Sequence, residues 1–463
     1  MIGDRVGRAT GMRFNILLQK CLPPLRRTAQ IALVAAVLLA GPNAAGLAFA
    51  QNWLDGMPGG GDGRKTNTAP VERKAEPLND IRADATPWRS DVMLDALAAA
   101  IERYEKIAAS GGWPVVPAGR MMREGDNDSR VPALRKRLRA SGDMPAKGQY
   151  YDNDTFDSEL EAGVRRFQQR NGIRPTGRIE QSVYPILNIT ATDRLAQMKL
   201  NFERLRGLMN GIEDRYVLVN VPAFQLEAVE RHEVQLRHRV IVGRTERQTP
   251  DVRATIKALN FFPFWRVPDS VAQLDLVPKL QKEPEYLENE IIRVYDGHNG
   301  PELDPRQVDW RAPQVANFKF KQDPGDKNAL GLVRIDMQNE HGVYMHDTPM
   351  KKLFEQRTRN FSAGCVRVQE VFQLAEWIAR YEQGWEQPGR VKEVLSGGQA
   401  LDLTLTRPLP VYFAYITAWA EPGDGHVEFR PDIYGRDSGA GQQQSWHDPD
   451  DKPPADAGRA LAP

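Results

Sequence analysis

Apolar residues recur at helical spacing through the first half of the chain. Between residues 88 and 108 they fall at Val92, Leu94, Leu97, Ile101, Tyr104 and Ile107. A second stripe runs through Leu195, Met198, Phe202, Leu205 and Met209. Steps of three and four residues are typical of helices that bury one face. The two stripes predict a helical scaffold over residues 87–130 together with 189–214, and Thr192 stands where the second helix would be capped.

Residues 131–188 carry three shorter stripes of the same period. Their apolar positions are Val131, Leu134 and Leu138, then Leu160, Val164 and Phe167, then Val183, Ile186 and Leu187. Turn residues at 171–172 and 175–177 separate the second stripe from the third. This stretch therefore predicts a compact all-α domain of three short helices.

The period changes from residue 215. Alternating or continuous apolar runs predict strands at 216–221, 224–229, 234–242, 253–262, 332–337, 342–345, 401–405 and 411–418. Only two stretches in this region, near 271–280 and 368–381, favour helices. The pattern predicts a mainly β domain over residues 215–436. The fold class is accordingly multidomain, with a mainly β domain, a small all-α domain and a helical scaffold.

The N-terminus has the order of segments found in a secretory signal. Arg26 and Arg27 precede an apolar run at 31–40, and a small-residue cleavage pattern follows at 48–50. We expect a signal peptide over residues 1–50, with cleavage or retention as an anchor as the two alternatives. The run is shorter than the roughly 20 residues of a membrane span. Met12 is a second candidate for the start of translation.

Composition and motifs exclude several classes of function. The net charge of +1 argues against bulk nucleic-acid binding. No glycine-rich phosphate loop occurs, and the histidines and cysteines lack zinc spacing, so we expect neither cofactor nor metal. No stretch after the signal is apolar for long enough to cross a membrane. Residues 51–86 and 437–463 lack any apolar period, which predicts a disordered linker and a disordered tail.

Cysteine usage singles out one thiol. The chain has 2 cysteines, and Cys21 lies in the segment that signal cleavage would remove. Cys365 would then have no disulfide partner in a compartment that favours disulfides. A buried, inert thiol is the ordinary interpretation of a lone cysteine. The small residues Ser362 to Gly364 before it, and His346 located 19 residues upstream, favour covalent acyl transfer instead.

The residues alone leave two candidates for the base that would activate this thiol. A free thiol has a pKa of about 8.5, and a paired imidazole would take its proton and stabilise the anion. His341 and His346 are five residues apart, so on a strand they would point to opposite faces. Only one of them can face Cys365.

The segments around these residues are similar to a known family. Residues 344–349 read Tyr-Met-His-Asp-Thr-Pro, and residues 362–368 read Ser-Ala-Gly-Cys-Val-Arg-Val. They resemble the L,D-transpeptidases of the YkuD type, within them the long YcbB-like branch. Residues 131–188 resemble the small peptidoglycan-binding module through 164–168 and 172–177. The resemblance implies a YkuD-type β-sandwich with a few helices, preceded by an all-α peptidoglycan-binding domain.

The resemblance also implies a reaction. Cys365 would be the nucleophile and His346 the general base, with His341 left as a surface or turn residue. The thiol would attack the bond between a diamino acid and the terminal D-Ala of a tetrapeptide stem, and the thioester would pass to an amine of another stem as a 3→3 cross-link. The partners would be peptidoglycan stem peptides and glycan, in the periplasm or cell wall. Ala363 departs from the family, where that position is often His or Ser, so more of the orienting work falls on His346.

Five further residues are expected at the site, each with a plainer alternative. Tyr344 orients substrate or contributes near the oxyanion, or is a packed aromatic. Ser362 positions substrate or bonds its own turn, and the Gly364 turn supplies oxyanion donors with the backbone N–H of Cys365. Arg367 binds a stem carboxylate or forms a structural salt bridge. Trp265 belongs to a lid at 261–268 and packs on the stem, or is an aromatic at the edge of the core.

Other functions stay open at this stage. The thioester has two further acceptors besides a second stem, the lysine of a wall-anchored lipoprotein and water. A wall-binding protein without activity is a different class, and the intact cysteine and histidine argue against it. A thiol redox protein would need a resolving cysteine, which the mature chain lacks.

Overall fold

The structure is a computed structural model that describes residues 80–81, 86–145, 153–423 and 425–437. All of these belong to one compact unit, residues 74–463. The predicted signal peptide, most of the predicted linker and the tail from residue 438 lie outside the described residues. Within the described ranges, no helix combines the length and the apolar composition that a bilayer crossing requires.

The first helices form where the apolar stripes predict them. They are α1 Asp91–Ala109, α2 Val131–Ala140, α3 Ser158–Arg170, α4 Tyr184–Leu187 and α5 Ala191–Leu208. The cap of α5 is Thr190, whose hydroxyl accepts the N–H of Asp193 at 3.0 Å. The expectation that Thr192 caps this helix is wrong, because Thr190 has the extended backbone that a cap needs and Thr192 already lies inside the helix.

α1 and α5 bury their stripes together. Leu97 and Tyr104 of α1 share one core with Met198 and Leu205 of α5. Residues 110–130, expected within the helical scaffold, contain no helix. Pro114 and Pro117 remove backbone donors there. The buried side chains of this segment, such as Val116 and Met122, pack instead into the core of α2, α3 and α4.

Most of the remaining chain is β structure. The strands are β1 Arg215–Asn220, β2 Gln225–Glu230, β3 Glu233–Gly243, β4 Val252–Phe261, β5 Trp265–Arg266, β6 Ile292–Tyr295, β7 Glu302–Leu303, β8 Lys319–Gln322, β9 Val333–Gln338, β10 Met345–His346, β11 Asn360–Ser362, β12 Val366–Val368, β13 Leu401–Ala414, β14 Ala418–Ala420 and β15 Val427–Phe429. The prediction of a mainly β catalytic domain joined to helical modules is confirmed.

Eight strands pair in a closed circuit, in the order β3-β12-β10-β9-β4-β13-β1-β2, and β2 returns to β3. β3 closes the circuit because it is long. Its residues up to Arg239 pair with β2, whereas Val240 and Ile241 pair with β12. β11 pairs with the far end of β3. The sandwich expected from the resemblance is therefore a continuous sheet without free edges over most of its length.

Two strand boundaries differ from the predicted ones. The runs expected at 401–405 and 411–418 belong mainly to the single strand β13, whose pairing with β4 shifts register between Thr404 and Leu409. Pro408 and Pro410 interrupt the donor row there, which explains the apparent break in the pattern. The strand expected at 342–345 is shorter, because Gly342 lies in a turn and only Met345–His346 joins the sheet.

Between β4 and β9 the chain forms an inserted subdomain, residues 262–332. Its sheet has the order β5-β8-β6-β7. Its helices are α6 Asp269–Val271, a π-helical stretch Ala272–Leu276, α7 Val277–Leu280 and α8 Tyr286–Asn289, with 3-10 turns at Pro305–Gln307 and Pro313–Asn317. A separate apolar core that includes Trp265, Leu276 and Phe320 holds it together. Its strands were not predicted because two to four residues are too few to show a period.

The last elements pack against the circuit of strands. A 3-10 turn Lys351–Glu355, α9 Val371–Ala379 and α10 Arg390–Gly397 follow β10 and β12.

Asp80 and Asp437 lie in segments expected to be disordered, yet both form ion pairs with the folded domain. Asp80 forms ion pairs with Arg239 and Arg359, and Asp437 is buried against Arg204. Buried arginines in the folded domain need these carboxylates, and that need is not visible in the local sequence.

Candidate active site

Cys365 lies on the turn that joins β11 to β12. Ser362 braces this turn, since its hydroxyl donates to the Cys365 carbonyl at 2.5 Å and accepts the Gly364 N–H at 3.2 Å. Gly364 has a φ of +124°, a conformation that side-chain-bearing residues rarely adopt. Ser362 thus bonds its own turn, which is one of its two expected roles. The Gly364 N–H is bonded to Ser362, so the Cys365 N–H is the member of the expected oxyanion donors that stays a prediction.

The pairing of β10 with β12 brings the candidate residues to one face. These two strands run parallel, with His346 opposite Arg367. The backbone N–H of Val366 donates to the Tyr344 carbonyl at 3.0 Å. Because side chains alternate along a strand, Tyr344 and His346 share a face of β10, and Cys365 and Arg367 share a face of the neighbouring chain. Register, rather than sequence distance, thus assembles the site.

His346 is held as a neutral imidazole. It is fully buried, and its Nδ1 bonds the carbonyl of Asp347. Burial, reinforced by the positive charge of Arg367, lowers the pKa of His346 to about 3. A neutral ring that donates from Nδ1 leaves Nε2 as an acceptor. Nε2 has no hydrogen-bond partner within the part of the chain that the structure describes.

The other histidine is placed elsewhere. His341 follows β9 in an exposed turn, where its Nε2 lies 3.5 Å from the carboxylate of Glu340. Its position matches the surface or turn location expected for it. Of the two candidates for the base, only His346 stands on the face that carries the thiol.

Cys365 is also neutral at rest. Burial raises the pKa of its thiol to about 11, and this outweighs the opposing effects of the Tyr344 backbone N–H and hydroxyl and of Arg367 and Arg334. The sequence led us to expect an imidazole-stabilised thiolate. The structure differs because both groups are enclosed, and burial disfavours the charged form of each. The pair is a thiol and a free acceptor nitrogen rather than a preformed ion pair.

Tyr344 touches both members of this pair. Its ring centroid lies 5.7 Å from that of His346, in an edge-to-face arrangement. Its hydroxyl interacts with the Cys365 thiol, and burial together with that thiol raises the pKa of the phenol well above its usual range. Arg334 of β9 approaches the same ring, with 5.5 Å between the guanidinium carbon and the ring centroid. Tyr344 therefore belongs to the site rather than to distant packing.

Arg367 has no acidic partner among the described residues. Its side chain is buried, its Nε has no partner, and its nearest polar contact is Met350 Sδ at 3.9 Å. Burial, opposed only in part by Cys365, lowers the pKa of its guanidinium to about 10. The structural salt bridge that was the alternative for Arg367 is therefore absent from the described part of the chain.

A cavity of about 180 Å³ adjoins the site between the sheet and the inserted subdomain. Arg367 and Thr348 line it from the sheet, and Trp265 and Glu290 line it from the subdomain. Trp265 is 1 % exposed, and its side chain interacts with the hydroxyl of Tyr344. It therefore combines both expected positions, being a core residue of the subdomain and a wall of the cavity.

The sequence resembles the family at Thr249 and Pro250 in the loop that follows β3, but it assigned no role to this loop. The hydroxyl of Thr249 donates to the carbonyl of Gly364 at 2.8 Å, and Gly364 directly precedes Cys365. Arg244 and Arg247 pair with Asp275 in the π-helical stretch of the inserted subdomain. No local signal marks these residues, because their partners are far away in sequence. Among the described residues, no three His, Cys, Asp or Glu side chains lie together in a way that could hold a metal ion.

Two regions of the chain match known protein families. Residues 214–394 match the profile of the YkuD family, described as the L,D-transpeptidase catalytic domain. Residues 127–187 match the family described as "Putative peptidoglycan binding domain". A curated relative from Haemophilus influenzae, named "Putative L,D-transpeptidase", is 32 % identical over 245 residues, which cover 52 % of this chain and 48 % of that protein. The chain thus spans about half the length of this relative.

Solved structures with related folds are more distant. An L,D-transpeptidase from Xylanimonas cellulosilytica is 12 % identical, with 64 % of this chain and 98 % of that chain covered and a TM-score of 0.21. One from Stackebrandtia nassauensis is 13 % identical, with 65 % and 96 % covered and a TM-score of 0.23. The chain thus contains a region, residues 214–394, that matches the YkuD-type L,D-transpeptidase catalytic domain, and a second region, residues 127–187, that matches the peptidoglycan-binding family.

Proposed function

We propose that this chain is a peptidoglycan L,D-transpeptidase that works through an acyl-enzyme on Cys365. The observation that carries the proposal is that a thiol on a turn lies on the same face of neighbouring strands as His346, whose Nε2 is buried and has no hydrogen-bond partner in the described part of the chain. A buried acceptor without a hydrogen bond is costly, and a catalytic base is one of the few reasons to retain it. The match of residues 214–394 to the catalytic domain of this enzyme family supports the same conclusion.

The first half of the reaction removes D-Ala from the donor. The Cys365 thiol gives its proton to His346 Nε2 as sulfur attacks the carbonyl between the diamino acid and the terminal D-Ala of a tetrapeptide stem. The tetrahedral intermediate collapses with cleavage of the C–N bond, and the imidazolium returns its proton to the leaving amine of D-Ala. Because thiol and imidazole are both neutral beforehand, proton transfer accompanies attack rather than preceding it.

The second half transfers the acyl group. An amine on the diamino acid of another stem attacks the thioester, its proton passes to His346, and the sulfur of Cys365 leaves and recovers a proton. The product is a 3→3 cross-link between the two stems. A lipoprotein lysine and water fit the same chemistry, and the experiments below separate transfer to a second stem from transfer to water.

Arg367 and the adjoining cavity are proposed as the donor subsite. A buried guanidinium without a carboxylate partner is unfavourable in the free protein, and a carboxylate of the stem would satisfy it. Trp265 walls the same cavity and would pack on the stem. Tyr344, which contacts the thiol, would orient the scissile carbonyl.

The match of residues 127–187 to the peptidoglycan-binding family, together with the expected signal sequence, supports a reaction in the cell wall. We propose that residues 131–188 contact peptidoglycan glycan and that the mature chain acts outside the cytoplasm. Binding of purified sacculi, with and without residues 131–188 in the chain, tests the first of these. Equal binding by both forms would assign that domain a bracing role instead.

Intact-mass spectrometry tests the acyl-enzyme directly. The wild-type chain is incubated with a disaccharide tetrapeptide, and we expect a mass gain equal to the donor less D-Ala, together with release of free D-Ala. Cys365→Ala is the matched control and should show neither change. His346→Asn should fold, keep the thiol and acylate at least about 100-fold more slowly, since a general base contributes about 10²–10⁴.

The acceptor is identified in the same mixtures. Dimers with a 3→3 bond are expected when donor stems alone are present, whereas tripeptide products alone would indicate transfer to water. A folded wild-type chain that binds sacculi but gains no mass with donor stems or a carbapenem would overturn the enzyme in favour of a wall-binding protein.

A further inference from the structure

We propose that Thr249 is a positioning residue that aims the backbone N–H of Cys365 at the oxyanion of the reaction. The inference rests on the proposed function, and it assigns a role to a residue that lies in no part of the nucleophile motif. Thr249 is fully buried in the loop between β3 and β4. Its hydroxyl makes two hydrogen bonds. It donates to the Gly364 carbonyl at 2.8 Å and accepts the Gly243 N–H at 2.8 Å.

The peptide that Thr249 holds is the one that carries the Cys365 N–H. The Gly364 carbonyl and the Cys365 N–H belong to a single planar unit, and in a trans peptide they point in opposite directions. Fixing the carbonyl on the side of Thr249 therefore fixes the N–H on the other side. The Cys365 N–H makes no hydrogen bond within the part of the chain that the structure describes. It is the donor at the turn that remains available, because the Gly364 N–H already bonds Ser362.

The turn itself would not hold this peptide in place. Gly364 has a φ of +124° and no side chain, so its two flanking peptides rotate at little cost. Ser362 fixes the peptide before Gly364 through the Gly364 N–H, and Thr249 fixes the peptide after it. An oxyanion donor stabilises the transition state only if it is aimed before the reaction begins. Thr249 supplies that preorganisation.

Thr249 is in turn held by its own surroundings. Its backbone N–H donates to the hydroxyl of Tyr434 at 3.2 Å, and that hydroxyl donates to the Gly243 carbonyl. A Cβ at Gly243 would lie 2.7 Å from Thr249 N, so glycine is required for the loop to fold back this closely. Thr249 thus connects the C-terminal segment that carries Tyr434 with the turn of Cys365 through hydrogen bonds.

The test compares two reactions of the same sulfur. Acylation by a donor stem passes through an oxyanion, whereas alkylation by iodoacetamide does not. In the full-length chain, Thr249→Val keeps the shape and removes the hydroxyl. We expect its kcat for D-Ala release to fall by about 100-fold, as for loss of an oxyanion donor. Its KM and its alkylation rate should stay within about twofold of wild type, since neither depends on the donor.

Matched variants complete the experiment. Thr249→Ser retains the hydroxyl and should recover most of kcat. Thr255→Val, at a half-buried strand threonine with no side-chain hydrogen bond among the described residues, should change neither rate. If Thr249→Val does not fold, Tyr434→Phe removes the acceptor of the Thr249 N–H and should lower acylation while sparing alkylation.

The results that would overturn the inference are distinct from failure of the proposed function. Unchanged acylation in Thr249→Val, or a parallel loss of acylation and alkylation in every folded variant, would reject the positioning role while leaving the enzyme intact. A wild-type chain that alkylates but never forms an acyl-enzyme would reject the proposed function, and this inference with it.

Discussion

The ring of Tyr344 packs edge-on against the imidazole of His346, with 5.7 Å between the ring centroids, while its hydroxyl interacts with the thiol of Cys365. One side chain therefore contacts both the proposed nucleophile and the proposed base. Tyr344 directly precedes β10 and lies two residues before His346, and residues i and i+2 of an extended chain lie on one face.

Removing only the hydroxyl of Tyr344 separates its two contacts. Tyr344→Phe keeps the ring on His346, and we expect acylation by a donor stem to slow by about 10-fold, in line with the loss of one hydrogen bond. Tyr344→Ala also removes the packing that orients the imidazole, so it should be slower still. Rates of D-Ala release, with thermal unfolding as a folding check, measure both. Equal activity in wild type and Tyr344→Phe would contradict a role for the hydroxyl.

The pH dependence of thiol alkylation reports whether the resting pair is neutral. Because burial raises the pKa of Cys365 to about 11, thiolate forms above the ordinary range. The alkylation rate with iodoacetamide should therefore rise about tenfold per pH unit through neutrality without a plateau. A thiolate–imidazolium pair would instead react at a constant rate from about pH 5 to pH 8. Cys365→Ala, which has no thiol in the described part of the chain, supplies the background.

Two buried arginines are expected to respond oppositely to the same substitution. Arg367 lacks an acidic partner, so Arg367→Met should leave the free energy of unfolding unchanged or raise it by about 1–3 kcal/mol. Arg359 pairs with Asp80 and also donates to the carbonyl of Phe224. Arg359→Met leaves these acceptors unsatisfied and should lower the free energy of unfolding by about 3–5 kcal/mol. Urea denaturation compares the two.

Activity should follow a different order from stability in the arginine variants. If Arg367 binds a stem carboxylate, Arg367→Met raises the KM for the donor stem by at least about 10-fold, the factor expected for a hydrogen bond to a charged group. Arg367→Lys should recover little, because a point charge does not reproduce the bidentate fork. A wild-type KM in Arg367→Met would assign the cavity to something other than the donor.

The pH dependence of stability should contain two opposing contributions. Burial lowers the pKa of His346 to about 3, so the unfolded state binds more protons than the folded state between pH 6.5 and that value, and stability falls on acidification. Burial raises the pKa of Glu227 from 4.5 to about 7, so its contribution is present below pH 4.5 and is lost as the pH rises through 7. The measurement is the change in urea midpoint between pH 5 and pH 7.5. Relative to wild type, this change should be less positive in His346→Gln and more positive in Glu227→Gln.

Local pattern was enough for the elements that bury a continuous face. The stripe through Met198 and Leu205 packs as predicted, and β1 and β2 lie within a residue of their predicted ends. The apolar pattern did not predict the structure of segments that are short or have no apolar period. The strands of the inserted subdomain have two to four residues, and the segment 110–130 folds onto a domain that begins after it. In both places tertiary contacts, rather than propensity, define the structure.

The candidate site divides in the same way. Residue types and spacing single out Cys365, because acyl transfer needs a nucleophile and few residues provide one. The family resemblance is what favours His346 over His341 as the base. The roles of the surrounding residues were left as alternatives, and the structure places Ser362 in the turn and Tyr344 against the thiol. Such roles depend on hydrogen-bond partners, and the tertiary structure decides which partners lie within reach.

By itself, the sequence predicted a candidate nucleophile and a candidate base, and it determined the helices and strands that carry a repeating apolar face. Both are local properties, because they follow from residue types and from the spacing of apolar residues along the chain. The neutrality of the Cys365 and His346 pair, the unpaired charge of Arg367 and the hold of Thr249 on the catalytic turn were decided only by the tertiary structure. Burial and long-range partners create them, and Thr249 and Gly364 are 115 residues apart before folding brings their atoms to 2.8 Å.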